Sequence, residues 1–215
     1  MTHYLLAVFV AFSLACGAAH AADSPPLSQL PMYGEREKTE SMKSADAEFI
    51  SSMDKRGLTR QNASKEVMQS GWTAWAKRDL VTAMSRFNQA WLLDPENGNA
   101  YHGFALATAV RGGNPSEVER LFQLSIAKPN VDAVAYVDYG RFFWTQKQLD
   151  KSLTLLNKAL EISPKAFNAR SNLSFVYYMK SDFASACTWA KDAQKNGDEL
   201  EKGYLEEMCS RAGKS

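Results

Sequence analysis

The chain has 215 residues, 45% hydrophobic and 23% charged, with 25 basic against 24 acidic side chains and a formal net charge of +1. That balance excludes a disordered chain, a bundle of membrane spans and a strongly basic nucleic-acid binder. Three histidines and three cysteines, widely scattered, are too few for a Cys/His zinc centre or most nucleophilic triads, so no metal, no cofactor and no catalytic residue is expected.

Residues 1–22 hold no Lys, Arg, Asp or Glu. An apolar run from Tyr4 to Ala15, broken only by Ser13, has about half the ~20 residues that a spanning helix needs. Ala19-His20-Ala21 then fits a small-x-small cleavage pattern. The expectation is a signal peptide over 1–21 with the mature chain starting at Ala22; an uncleaved anchor helix is the other outcome. Ser13-Leu14-Ala15-Cys16-Gly17 also resembles a bacterial lipoprotein box, which would put a lipid anchor at Cys16. The expected location is periplasmic or secreted, or the outer membrane for a lipoprotein. Any of these compartments permits disulfides.

Residues 22–63 read as a lead segment followed by a short helix. Pro25, Pro26, Pro31 and Gly34 argue for an extended, poorly ordered lead. Met42, Ala45, Phe49 and Met53 then recur at helical spacing, which predicts an amphipathic helix from Glu40 to Lys55, stopped at Gly57. Its apolar stripe needs a covering surface, and docking as an N-terminal cap is the simplest one.

From Ser64 the chain repeats itself. Small residues recur at Gly71, Ala105, Gly140 and Ser174, at intervals of 34, 35 and 34. A second series runs Ala83, Val118, Ser152 and Ala186; Phe87, Phe122, Leu156 and Ala190 stand four residues after it, and Ala90, Ser125, Ala159 and Ala193 three further on. Pro95, Pro129 and Pro164 close three units, and Asn196-Gly197 ends the fourth. A period of this length marks a solenoid of helix pairs, each small residue sitting where the paired helices cross. Gly112-Gly113 lacks the Lys-Ser/Thr ending and preceding strand of a phosphate loop, so it reads as an inter-helix turn.

Beyond the fourth unit, Leu200, Tyr204, Leu205, Met208 and Cys209 predict a capping helix whose polar face carries Glu199, Glu201, Lys202, Glu206 and Glu207. Cys187 precedes Gly197 by ten residues and Cys209 follows it by twelve. Residues equidistant from a turn lie side by side in an antiparallel pair, so a Cys187–Cys209 disulfide is expected, two buried thiols being the alternative.

The repeat resembles the tetratricopeptide (TPR) motif, most closely in Ala83…Phe87…Ala90…Pro95 and Ser152…Leu156…Ala159…Pro164. The resemblance implies an all-α, right-handed superhelical solenoid of about four helix pairs. This array would occupy 64–215 with its capping helix. It further implies that the first helix of each pair lines a concave face. Met68, Trp72 and Trp75 would lie there, with His102, Leu106 and Ala109, then Val137, Arg141 and Trp144, then Asn168, Ser171, Phe175 and Tyr178. Family members that grip a terminal carboxylate use Lys, Arg and Asn on this face. Here those places are mostly apolar and Asp138 stands among them, so carboxylate capture is not expected.

Two readings of these aromatics stay open. They are core, covered by the chain's own 40–55 helix, or they form an apolar groove for a partner helix or peptide. The leading functional expectation is a non-catalytic protein-interaction scaffold of the bacterial cell envelope, used in assembling an envelope machine. The alternative is an accessory subunit of an envelope enzyme that binds a glycan or other ligand by aromatic stacking.

Overall fold

The computed structural model describes residues 25–129 and 131–213. The expected signal peptide, its cleavage after Ala21 and the lipid anchor at Cys16 lie outside the described residues. Among the described residues no helix is long and apolar enough to cross a membrane.

The helices run α1 (Glu40–Asp54), α2 (Arg60–Ala76), α3 (Leu80–Leu93), α4 (Gly98–Val110), α5 (Pro115–Ala127), α6 (Ala133–Thr145), α7 (Leu149–Ile162), α8 (Ala169–Met179), α9 (Phe183–Asn196) and α10 (Tyr204–Ala212). Four pairs stack in series: α2 with α3, α4 with α5, α6 with α7, and α8 with α9, with α10 closing on α9. Helices α2, α4, α6 and α8 adjoin one another and form the inner face, while α3, α5, α7 and α9 form the outer one.

Local chemistry sets the helix ends. Thr39, Thr59, Asp79, Asn97, Asn114 and Asp182 each accept a backbone N–H of the first turn through the side chain, satisfying a donor that the helix itself cannot. The turn between the helices of a pair needs one left-handed residue, supplied by Arg78, Gly112, Lys147 and Ser181 at φ 61°, 72°, 59° and 61°. Gly197, at φ 80°, stops α9 in the same conformation.

The crossings explain the small residues. A Cβ on Gly71 would lie 2.6 Å from the Phe87 ring and one on Gly103 2.7 Å from it. Phe87 is thus wedged between two glycines, one on α2 and one on α4. One unit pair later, a Cβ on Gly140 would sit 2.9 Å from Leu156. Hydroxyls close the same crossings: Ser152 Oγ donates to the Gly140 carbonyl and Ser174 Oγ to that of Ala186, both at 2.8 Å. A serine that spends its hydroxyl on a neighbouring carbonyl is satisfied and adds little bulk.

The lead segment departs from the sequence expectation. It is neither extended nor loose, but folds into two tight turns, Leu27–Gln29 and Pro31–Glu35, packed on α3 and α4. Met32 and Tyr33 are buried. The cause is Asn88, fully buried on α3. Its Nδ2 donates to the carbonyls of Ser28 and Leu30 at 3.0 and 2.9 Å, and its Oδ1 accepts the Tyr33 N–H at 3.2 Å. Arg111 donates to the Gln29 carbonyl at 2.7 Å, and Arg120 pairs with Glu35 at 2.6 Å. Met32, Tyr33 and Glu35 hold left-handed φ of 50°, 56° and 53°, a conformation these contacts sustain. Lys38 stacks over the Tyr33 ring at 3.7 Å and pairs with Asp46 of α1.

Helix α1 packs against α2. Phe49, Ile50 and Met53 rest half-buried on the core of the first units, while Arg56–Glu66 and Arg60–Asp54 ion pairs span the junction. At the other end, Met208 of α10 is buried against Ala186 and Cys187. Cys187 and Cys209 are joined by a disulfide, with Cα atoms 4.7 Å apart.

Candidate functional site: the inner face

The inner face carries two aromatic groups with a charged patch between them. On α2, Trp72 meets Trp75 edge-on at 6.4 Å, the Phe87 ring at 4.9 Å and the His102 ring at 5.2 Å. On α6 and α8, Trp144 meets Phe175 edge-on at 4.9 Å, and its Nε1 donates to Asn172 Oδ1 at 3.3 Å. Helical spacing produces this, because Trp144 and Asn172 hold neighbouring positions on adjoining inner helices.

Between the two groups lies Asp138. It faces His102 Nε2 at 2.9 Å through one oxygen and Arg141 Nη1 at 3.4 Å through the other. His102 is itself 2% exposed, and its Nδ1 has no hydrogen-bond partner among the described residues. The Trp72 and Phe122 rings, the latter at 6.2 Å, lie on this imidazole. A carboxylate accepts from a ring N–H, so the proton belongs on Nε2. The pair anchors α4 to α6, and Arg141 covers its open side.

These positions correct part of the sequence reading. Met68 and His102 are buried, at 4% and 2% exposure, and form floor rather than contact surface. His102 is no groove histidine, since burial beside Asp138 gives it a structural task. Leu106, Trp72 and Trp75 are half-buried against the first core. Arg141 is exposed; Trp144 and Phe175 are half-buried. Tyr178 is half-buried and turned towards the cap, its ring 5.9 Å from Phe175, 6.2 Å from Phe183 and 5.6 Å from the Arg211 guanidinium.

The residues beside Trp144 that sequence reasoning missed come from the α9–α10 connection. A cleft of about 670 Å³ is lined by Arg141, Trp144, Asn168, Asn172 and Glu199 to Glu201. A smaller pocket of about 180 Å³ adjoins it between Phe175, Leu200 and Tyr204. Leu200 and Glu201 precede α10, which starts only at Tyr204, so they are cleft wall rather than cap. Asp198 holds the connection in place. Its carboxylate accepts the backbone N–H groups of Asn168, Arg170 and Ser171 at 3.0, 2.9 and 3.1 Å, while Asn168 Oδ1 accepts that of Glu199 at 2.9 Å. A carboxylate at a helix N-terminus meets both free donors and the positive end of the dipole. The available signal was Asp198 standing just past the Gly197 stop.

Chemically the cleft offers aromatic faces, a guanidinium, two carboxylates and two carboxamides. Among the described residues no group of His, Cys, Asp and Glu is arranged to hold a metal ion.

No family model and no curated protein matches the sequence. Solved structures do match in fold. A Pseudomonas aeruginosa protein, PilF, superimposes with a TM-score of 0.65 at 16% identity, over 73% of this chain and 72% of its own. PilW, described as a widely conserved type IV pilus biogenesis factor, gives 0.58 at 16% identity, over 83% and 89%. MamA gives 0.52 at 19% identity, over 75% and 96%. The all-α helix-pair solenoid expected from the sequence is thereby shown as a TPR fold.

Proposed function

We propose that this chain, built on the TPR fold, is a non-catalytic protein-interaction scaffold that receives a protein or peptide partner on its inner face. The site is the cleft of Trp144, Phe175 and Arg141, walled by the α9–α10 connection. One observation carries the reading. Trp144 stays half-exposed over a cleft, although the crossing of its own unit is already closed by Gly140, Ser152 and Leu156. The fold does not require a tryptophan there, and Trp, Tyr and Arg are the residue types that concentrate binding energy.

The setting we propose is the bacterial cell envelope, in assembly of a machine of the type IV pilus kind. The likeness to PilW supports the machine, and the leader-like sequence pattern of residues 1–21 supports export. The partner presents an apolar or aromatic side chain to Phe175 and Trp144, with a polar group for Arg141 or the carboxylates of Glu199 and Glu201. Site-specific photo-crosslinking tests this directly. A crosslinker at Arg141 should capture an envelope protein that one at Val81, exposed on the outer helix α3, does not. Equal capture from both positions would refute a site on the inner face.

A further inference from the structure

The charges around the cleft at Trp144 are unbalanced, and the imbalance has one sign. Two features there could hold an anion, and the chain's own carboxylates already occupy both. Arg141, the one basic side chain in the cleft lining, faces Asp138 Oδ1 at 3.4 Å. The N-terminus of α8, whose free N–H groups and dipole favour negative charge, is closed by Asp198, which accepts three backbone N–H groups there at 2.9 to 3.1 Å. Neutral donors of the cleft are spent as well. Trp144 Nε1 donates to Asn172 Oδ1 at 3.3 Å, while Asn172 Nδ2 and Ser171 Oγ both donate to the Asn168 carbonyl, at 2.6 and 3.1 Å.

The acceptors are in the opposite state. Glu199 and Glu201 line both the cleft and the adjoining pocket of about 180 Å³, and neither carboxylate has an ion-pair partner among the described residues. Two arginines of the adjoining helices are committed elsewhere, Arg170 to Asp192 and Arg211 to Glu207, both at 2.6 Å. Lys202 follows Glu201 in the chain but lines neither cavity. The two acids do not ride on a loose loop, because Asn168 Oδ1 accepts the Glu199 N–H at 2.9 Å and Asp198, one residue before it, is tied to α8. Groups held in place before binding lose less freedom on binding. Beside them Trp144, Phe175 and Tyr204 offer ring surface. Lysine and arginine use both parts of such a site, with an apolar stem that lies along rings and a cationic head that needs an acceptor.

We infer that the cleft takes a lysine or arginine side chain from a linear segment of the partner, its stem on Trp144 and Phe175 and its head at Glu199 and Glu201. This rests on the cleft being the partner site, and it names the chemistry which that site selects. An acidic segment is rejected, since Asp138 and Asp198 hold the positions it would need and Glu199 and Glu201 repel it.

The probe is a display library of random dodecapeptides selected on the full chain, the selected peptides then being titrated against variants. The expected result is peptides enriched in Lys or Arg beside an apolar residue. Their affinity should fall about tenfold with Glu199→Gln and Glu201→Gln combined, and should fall for the parent as ionic strength rises. Arg141→Gln, which removes a like charge, should strengthen binding. Glu199 and Glu201 are exposed, so the double variant should melt as the parent does; if it does not, the single variants and the salt dependence of the parent carry the same test. Peptides that Trp144→Ala weakens, but that lack a basic residue or are indifferent to the glutamate variants and to salt, overturn the inference and leave the cleft standing. Weaker binding in Arg141→Gln does so too. A selection without any peptide that Trp144→Ala weakens overturns the cleft itself and the inference with it.

Discussion

Asn88 shows how much one side chain decides. It is a fully buried amide whose donors and acceptor are all spent on residues 27–35, the strap over α3 and α4, and an unpaired buried polar group costs about 1–3 kcal/mol. Asn88→Leu removes the pairing and leaves the Tyr33 N–H and the Ser28 and Leu30 carbonyls without it. Hydrogen exchange should then quicken at residues 28–35 while α6 to α9 keep their protection; unchanged exchange there would contradict the clamp. Gly140 makes the opposite case, since the methyl of Gly140→Ala would lie 2.9 Å from Leu156. Overpacking of this kind costs about 1–3 kcal/mol, so the melting temperature should fall, and a rise would refute the close crossing. Two phenols give a pH signature. Burial, aided by Asp46, pushes Tyr33 up to about 12, and burial, aided by Glu119, does the same for Tyr139. The folded phenols keep their proton where an unfolded tyrosine near 10 loses it. Their contribution to stability is therefore complete below pH 10 and is lost as the pH rises towards 12. Burial raises the Tyr204 phenol as well, so ultraviolet titration of the folded chain should show at least two late phenolates, and a single common transition near 10 would contradict this burial.

The helices were more legible than the segments between them. Periodicity and the Gly57 stop place α1 within one residue of its expected end. The strap was not legible, since prolines and glycine suggest loose chain unless the distant Asn88 is known to face it. The α9–α10 connection was misread for the same reason, its position being fixed by Asp198 across about a turn of another helix. The turns within pairs lead to a further expectation. Ser181 is exposed and left-handed at φ 61°, a conformation that costs an L-residue about 1–2 kcal/mol. Glycine avoids that strain but loses about 0.5–1 kcal/mol through the freer unfolded chain. Ser181→Gly should thus raise the melting temperature slightly, and a clear fall would show that the serine makes a contact the turn depends on. The Cys187–Cys209 link closes a loop of 22 residues, worth on the order of 3 kcal/mol. Reduction should loosen α10 first, whereas two titratable thiols in unfolded, non-reduced protein would rule the bond out.

At the scale of the molecule, each pair packs chiefly on its neighbours, so the array is close to one-dimensional and its ends decide its solubility. The strap and α1 close one end, and α10 with its disulfide closes the other. That architecture was readable from the 34- and 35-residue intervals, because repetition exposes packing without a partner or an alignment. The division of the inner face was not. Burial of Met68 and His102, against the exposure left to Trp144, depends on how far adjoining helices approach, which spacing alone does not give. The central claim is that this exposure serves a partner. Measuring the melting curve of Trp144→Ala together with its affinity for the protein captured at Arg141 tests it most directly. Loss of a half-buried ring that packs on the second core, meets Phe175 edge-on and donates to Asn172 should cost stability about 1–2 kcal/mol, while binding should weaken by about 2 kcal/mol or more, some thirtyfold. A stability loss of about 3–5 kcal/mol with affinity unchanged would show Trp144 to be core and would contradict the site.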